Sequence, residues 1–296
     1  MDDRLPLTES VNPSSRDLDT LGTEDLLHRI NDEDRRAAWA VEREIDVLAT
    51  AVDQIVAHLR AGGKLHYFGA GTSGRIGMLD AAEMEPTFSA GDLVIAHIAG
   101  GADSLVRAVE KAEDDAEAGR RDARVLDRHD AAILISASGG AAYVNGALEE
   151  ARSRGALTIA LTNSPDTQLA RASDIAIVLK TGPEVIAGST RMKAAAAQKM
   201  ALAMLSTAVM VKLGKVFDNL MVDVRAGNRK LRERAVRVTQ VVTGAPIDAV
   251  QTALQACDYR PKVAIVMVQR ACDVADAQRL LDREHGDLRA ALAVPW

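Results

Sequence analysis

The sequence predicts an α/β protein, a three-layer sandwich around a five-stranded parallel sheet, with helices before the sheet and a small helical bundle after it. Three observations lead to this prediction. Five short, continuously apolar runs lie between residues 64 and 184, as expected of strands buried on both faces. Each run is followed by small or polar residues and then by a helical pattern, which is typical of crossovers between parallel strands. Helical spacing of apolar residues dominates before and after this region.

Residues 1–61 are predicted to form an N-terminal arm and helices. The first 20 or so residues are polar and without periodicity, whereas apolar residues recur at three- and four-residue spacing from Thr23 to Ala61. The opening MDDRLPLTES has neither a basic nor an apolar segment, so we expect no signal peptide. We also expect no membrane-spanning helix and a cytoplasmic location.

Residues 62–224 are predicted to form the domain that contains the sheet. Its five strand candidates are KLHYFGAG (64–71), LVIAHIAGG (93–101), AAILISASGG (131–140), LTIALTNSP (157–165) and IAIVLKTGPE (175–184). A long helix follows Ser189 and is apolar almost all round, which predicts that it is buried in the core or at a subunit contact. Residues 225–296 are predicted to form a helical subdomain, with a break at Gly244 and Pro246.

Composition narrows the class of function. The net charge of −6 argues against a nucleic-acid or membrane partner. Two cysteines, Cys257 and Cys272, provide no disulfide framework and fit a reducing cytosol. The six histidines show no metal-binding spacing, so no metal site is predicted.

A glycine-rich loop after the first strand, Gly69 to Gly74, fits the spacing G-x-G-x-x-G. Such a loop at the start of a helix binds an anion through backbone N–H groups and the helix dipole. A dinucleotide site also needs an acidic residue at the end of the second strand, where this chain has His97 to Gly101. The loop therefore indicates a smaller anion than a dinucleotide.

Two further loops share this chemistry, Ser136–Gly140 after the third run and Gly188–Arg191 after the fifth. In a parallel sheet these loops meet at one edge, where hydroxyls and N–H groups would suit a phosphosugar. The alternative for each loop is an ordinary turn with a capping serine. The predicted substrate-binding residues are Gly71, Thr72, Ser73, Ser136, Ser138, Gly139, Ser189, Thr190, Arg191 and Lys193, with a solvent-facing side chain as the alternative for Lys193.

The stretches GAGTSGR, SASGG and GSTRMKA resemble the sugar-isomerase (SIS) fold, which binds phosphosugars. Longer stretches resemble the N-acetylmuramic acid 6-phosphate etherase family from about Leu7 to the C-terminus: INDED, GAGTSGRIGMLDAAE, IAGG, AVEKAED, GSTRMKAAAAQK and GKVFDNLMVDV. The resemblance implies a cytosolic homodimer that removes D-lactate from its substrate without a cofactor.

Two glutamates, Glu83 and Glu113, are the predicted catalytic residues. Each follows apolar residues at helical spacing, so each is expected on the inward face of a helix, where a carboxylate is costly unless it is paired or functional. The resemblance implies that Glu83 is the proton donor and Glu113 the second active-site glutamate. Whether Glu113 acts on the C2 proton or on the incoming water is left open.

The chain departs from the family in one loop, where Gly140-Ala141-Ala142 stands in place of an Arg-Thr-Pro run. This departure leaves substrate affinity and preference open. An aldose–ketose isomerase on the same fold also needs a glutamate base and is one alternative. A non-catalytic sugar-phosphate sensor is the other.

Overall fold

The structure is a computed structural model and describes residues 7–224 and 226–294. The chain forms two compact units. The first comprises the chain up to residue 81 together with residues 92–206, and the second comprises residues 82–91 together with the chain from residue 207 onwards.

The first unit begins with three short 3₁₀ turns, at Leu7–Glu9, Pro13–Ser15 and Leu18–Thr20. Two helices follow, α1 (Thr23–Glu42) and α2 (Ile45–Arg60), which together make up the predicted N-terminal helical segment. Both helices belong to the same unit as the sheet. The division predicted from the sequence places the helices in residues 1–61 and the sheet in residues 62–224.

The five predicted strands are all present and all parallel, which confirms the predicted fold class. They are β1 (Leu65–Gly69), β2 (Val94–Ile98), β3 (Ala131–Ile135), β4 (Leu157–Thr162) and β5 (Ile175–Val178), in the order β2-β1-β3-β4-β5. The chain direction across the sheet reverses between β1 and β3, and open α/β sheets bind ligands at such a switch point.

Helices cover both faces of this sheet. The helices that contact its strands include α2, α3 (Gly71–Phe88), α6 (Ala142–Ser153) and α7 (Gln168–Ala172). The short helix α4 (Asp103–Val106) follows β2, and α5 (Ala116–Ala123) packs against α6. Phe68 and Leu134 pack in one apolar cluster with Val144 and Leu148 of α6. The alternate residues of the same strands face α3, since Gly77 lies against Tyr67 and Ile135.

The long apolar helix is α8 (Lys193–Lys212). By length and composition alone it could cross a membrane, but 56% of its apolar window is buried inside the protein, and a buried core helix passes the same test. Part of the helix lies in the core, whereas Met200, Met204 and Val211 are between 37% and 47% exposed in the single chain, so the predicted alternative of a subunit contact remains a prediction for these residues.

The second unit contains a hairpin that the sequence did not reveal, β6 (Val216–Phe217) paired antiparallel with β7 (Leu220–Met221). Five helices follow: α9 (Arg229–Thr243), α10 (Ile247–Ala256), α11 (Pro261–Arg270), α12 (Val274–Arg283) and α13 (Leu288–Ala293). The predicted break between α9 and α10 is present, since α9 ends at Thr243 and is followed by Gly244, whose φ is +66°.

Candidate functional site

A cavity of about 450 Å³ lies at the carboxyl edge of β1 and β3 in the first unit. It is lined by Glu9, Ala70, Gly71, Thr72, Ser73, Glu113, Asp114, Ile135, Ser136, Ala137, Ser138, Gly140, Ala141, Gly188 and Thr190. All three predicted loops therefore contribute to one cavity.

Close backbone approach explains the glycines of the loop after β1. A Cβ atom on Gly74 would lie 2.7 Å from the carbonyl oxygen of Gly69 and 2.6 Å from a side-chain carbon of Ile98. Gly71, where α3 begins, has a φ of +53°. This close turn presents the free N–H groups at the start of α3 to the cavity, where they can bind an anion.

Buried polar side chains support this loop from behind. Ser73 donates its hydroxyl proton to Gln198 of α8 over 2.8 Å, and Gln198 donates to Asn163 over 2.9 Å. Asn163 follows β4 and donates in turn to the carbonyl oxygens of Leu179 and Ala194. Its backbone N–H donates to the carbonyl oxygen of Ala137, which lines the cavity, so the network joins two cavity loops.

The loop after β3 is held by its own serines. Ser136 Oγ accepts a hydrogen bond from the Gly139 N–H over 3.1 Å, and Ser138 Oγ accepts one from the Gly140 N–H over 3.2 Å. Each hydroxyl thus uses a lone pair within the loop and keeps its own proton for a ligand in the cavity. Gly139 shapes the turn with a φ of +72° and is not among the lining residues.

The loop before α8 contributes Gly188 and Thr190, but the lining does not include its predicted neighbours Ser189, Arg191 and Lys193. Lys193 is 1% exposed and pairs with Glu33 of α1, which also pairs with Arg36 over 3.2 Å. This buried pairing contradicts the expectation that Lys193 contacts the substrate or faces solvent. Burial raises the pKa of Glu33, but the hydrogen bond and charge of Lys193 outweigh it, so the pKa is lowered overall.

Glu113 lines the cavity, but it does not lie on the inward face of a helix as predicted. Helix α4 ends at Val106, and Glu113 lies in a separate 3₁₀ turn, Ala112–Asp114. Leu105 and Val109, the apolar residues used for that spacing, are each 39% exposed. The turn, rather than an inward helical face, brings Glu113 and Asp114 to the cavity.

Glu83 lies on α3, as predicted, but its side chain is exposed rather than inward-facing. Leu79, one turn earlier, is 52% exposed, so the residues that the structure describes leave this side of α3 uncovered. Glu83 belongs to the second unit and is not among the residues that line the cavity of the first.

Glu9 and Asp114 line the cavity, but neither was selected from the sequence. Glu9 lies in a polar arm without periodicity, and only the folding of that arm onto the loop before α8 reveals it. Among the described lining residues the charged side chains are Glu9, Glu113 and Asp114, all acidic. An anionic group must therefore be held there by hydroxyls, N–H groups and the dipole of α3.

Two family profiles match the chain. Residues 47–152 match the glucokinase regulatory protein N-terminal SIS domain, and residues 103–208 match the SIS domain. A phosphoheptose isomerase from Francisella tularensis superposes with a TM-score of 0.53 over 64% of this chain and all of that one, at 20% identity. At this identity the superposition supports the SIS fold alone.

Relatives with much higher identity extend over nearly the whole chain. It is 47% identical to the N-acetylmuramic acid 6-phosphate etherase of Caldanaerobacter subterraneus over 97% of this chain and 94% of that one. It is 48% identical to the N-acetylmuramic acid 6-phosphate etherase 1 of Bacillus licheniformis over 97% of this chain and 95% of that one. The N-acetylmuramic acid 6-phosphate etherase of Mycolicibacterium smegmatis is 46% identical over 96% of this chain and 97% of that one. This chain therefore belongs to the N-acetylmuramic acid 6-phosphate etherase family.

Proposed function

We propose that this protein is a carbon–oxygen lyase that cleaves the D-lactyl ether of N-acetylmuramic acid 6-phosphate, giving N-acetylglucosamine 6-phosphate and D-lactate. The observation that carries the proposal is the identity of 46–48% over nearly the whole chain with enzymes of that name. The cavity of the first unit supports it, because the same lining offers anion-binding groups and carboxylates.

The phosphate binds at the loops after β1 and β3. The N–H groups at the start of α3 and the hydroxyls of Thr72, Ser136 and Ser138 supply donors to its oxygens. The sugar ring then extends towards the acidic part of the lining, where Glu113 lies. Carboxylates suit this end of the substrate, since sugar hydroxyls can donate hydrogen bonds to them.

The chemistry is an elimination followed by addition of water. A base removes the C2 proton, the C3–O bond breaks, and an acid protonates the departing lactate oxygen. Water then adds at C3 and a proton returns to C2, so no net redox change occurs. We assign Glu83 to protonating the lactate because the stretch GAGTSGRIGMLDAAE resembles the family at its proton donor, although Glu83 does not line this cavity. Glu113, which does line it, is assigned to the C2 proton or the incoming water.

We further infer that the working form is a cytoplasmic homodimer. Met200 and Met204 lie one turn apart on α8 and are 37% and 40% exposed, and Leu79 on α3 is 52% exposed. Neighbouring apolar side chains on one helix face are suited to burial in a contact with a second copy of the chain. Light scattering of the purified protein tests this directly: a dimer that Met204→Lys converts to a monomer supports the inference, and a monomeric wild type contradicts it.

The activity is tested by incubating the protein with N-acetylmuramic acid 6-phosphate in ¹⁸O-labelled water. We expect D-lactate without label and a sugar product that carries it, because water adds at C3. Glu83→Gln and Glu113→Gln should each lose activity by about a hundredfold or more. Glu110→Gln is the matched control, since Glu110 is exposed and is not among the lining residues.

The same assay separates the alternative functions. An aldose–ketose isomerase would interconvert sugar phosphates without releasing lactate. A regulator related to the profile that matches residues 47–152 would bind the sugar phosphate without turning it over. Absence of lactate release from the wild-type protein would therefore overturn the proposed function.

A further inference from the structure

The N-terminal arm brings a carboxylate into the cavity. Glu9 ends the 3₁₀ turn Leu7–Glu9 and lines the cavity beside Gly188 and Thr190. A Cβ atom on Gly188 would lie 2.9 Å from Glu9 Oε2, so the carboxylate sits directly over this glycine. Gly188 has a φ of +77°, which also favours glycine there.

Two anchors hold the arm against the chain segment that leads into α8. The Gly188 N–H donates to the carbonyl oxygen of Thr8 over 3.1 Å, and Thr8 is 1% exposed. Asn12, which is 5% exposed, donates from Nδ2 to the carbonyl oxygen of Pro183 over 3.1 Å. Glu9 lies between these anchors, so its backbone position is fixed although its side chain remains exposed.

The charge of Glu9 determines which part of a ligand it can contact. A carboxylate repels a phosphate dianion but accepts hydrogen bonds from hydroxyl and amide N–H groups. The phosphate donors lie on the loops after β1 and β3, whereas Glu9 belongs to the part of the wall formed by the arm and the loop before α8. Its partner must therefore be the uncharged, donor-bearing part of the ligand.

We propose that Glu9 is a substrate-orienting residue that accepts a hydrogen bond from a sugar hydroxyl or the acetamido N–H of the bound amino-sugar phosphate. It selects for a sugar attached to the phosphate and against the free anion. The proposal rests on the proposed function for the identity of the sugar. Its test is a binding measurement that does not depend on turnover.

The test compares binding of N-acetylglucosamine 6-phosphate and of inorganic phosphate by calorimetry, in wild type, Glu9→Ala and Glu9→Gln. A hydrogen bond to a charged acceptor is worth enough that Glu9→Ala should weaken sugar-phosphate binding by about 10- to 100-fold. Phosphate binding should be unchanged or tighter, because a repulsive charge is removed. Glu9→Gln keeps one acceptor oxygen and should recover part of the sugar-phosphate affinity.

Glu24→Gln is the matched control, since Glu24 is an exposed glutamate in the first turn of α1 that does not line the cavity. A parallel loss of both affinities in Glu9→Ala would indicate a displaced loop and would overturn the proposal. Unchanged sugar-phosphate affinity, or a wild-type protein that binds no sugar phosphate, would overturn it as well. A wild type that binds the sugar phosphate and loses it on Glu9→Ala, but releases no lactate, would sustain the role of Glu9 while the proposed lyase activity fails.

Discussion

Ser73 donates its hydroxyl proton to Gln198, and the direction of this hydrogen bond is determined by backbone carbonyls two side chains away. Asn163 must turn its amide nitrogen towards the carbonyl oxygens of Leu179 and Ala194, so its oxygen faces Gln198. Gln198 must then present its nitrogen to Asn163 and its oxygen to Ser73. Ser73 therefore faces the cavity as an acceptor, whereas Ser136 and Ser138 keep protons to donate.

This polarity predicts unequal roles for serines in the same site. Ser138→Ala removes a donor and should weaken binding of inorganic phosphate by about tenfold. Ser73→Ala removes a hydroxyl whose proton is already committed, so phosphate binding should change by no more than about twofold. Calorimetric titration with phosphate tests the difference. Equal losses in the two variants would contradict the assigned direction of the network.

The network also makes Gln198 a stabilising residue. It is fully buried, and Gln198→Met would leave the Ser73 hydroxyl and the Asn163 carbonyl oxygen without their partner. Each buried polar group left unpaired costs about 1–3 kcal/mol, so with two such groups unfolding in urea should show a loss of about 2–6 kcal/mol. Gln54→Met on the exposed side of α2 is the control and should change little. A loss no larger than the control's would contradict the prediction.

Removing one partner of the buried pair of Lys193 and Glu33 should lower the free energy of unfolding far more than removing one partner of a surface pair. Lys193→Met leaves a carboxylate with a 3% exposed side chain and without its main partner, and should cost about 3–5 kcal/mol of unfolding free energy. Asp103 and Arg107 form an exposed pair at 2.7 Å, and Arg107→Met should cost less than about 1 kcal/mol. Adding Glu33→Leu to Lys193→Met should restore part of the stability, and a further loss instead would contradict this account.

Stability should fall on mild acidification because of His66. Burial, reinforced by the neighbouring His97, lowers the pKa of His66 from 6.5 to about 4. As the pH falls from 6.5 towards 4, His66 is therefore protonated in the unfolded chain but stays neutral in the folded chain. The neutral histidine contributes its full share to the free energy of unfolding above pH 6.5. About 2 kcal/mol of this share should be lost between pH 7 and pH 5.

His66→Asn tests this dependence, because asparagine keeps a hydrogen-bonding group towards His97 Nε2, which lies 3.0 Å from His66 Nδ1, but does not titrate. Urea unfolding of this variant should show a smaller loss between pH 7 and pH 5 than the wild type. His28→Asn is the control, since it makes the same substitution at a histidine with a 71% exposed side chain. An unchanged loss in His66→Asn would rule out His66 as its source.

The sequence by itself determined the sheet and the loops that surround the cavity. Continuous apolarity marks strands buried on both faces, and a strand that ends in glycine and hydroxyl residues before a helix is recognisable locally. For these reasons all five strands and the convergence of three loops could be predicted. The family was also readable from contiguous stretches such as GAGTSGRIGMLDAAE.

Only the tertiary structure decided how individual side chains are used. Lys193 has the sequence context of a residue that binds an anion, yet it forms a buried ion pair with Glu33, which is distant in the chain. The spacing of apolar residues before Glu113 predicts a helix, but α4 ends at Val106. A short 3₁₀ turn brings the Glu113 carboxylate to the cavity. Glu9 has no local signal at all, because its position depends on hydrogen bonds between the arm and residues 183–188. Periodicity and turn chemistry are local properties of the chain, whereas charge pairing and the lining of a cavity depend on contacts between residues far apart in sequence.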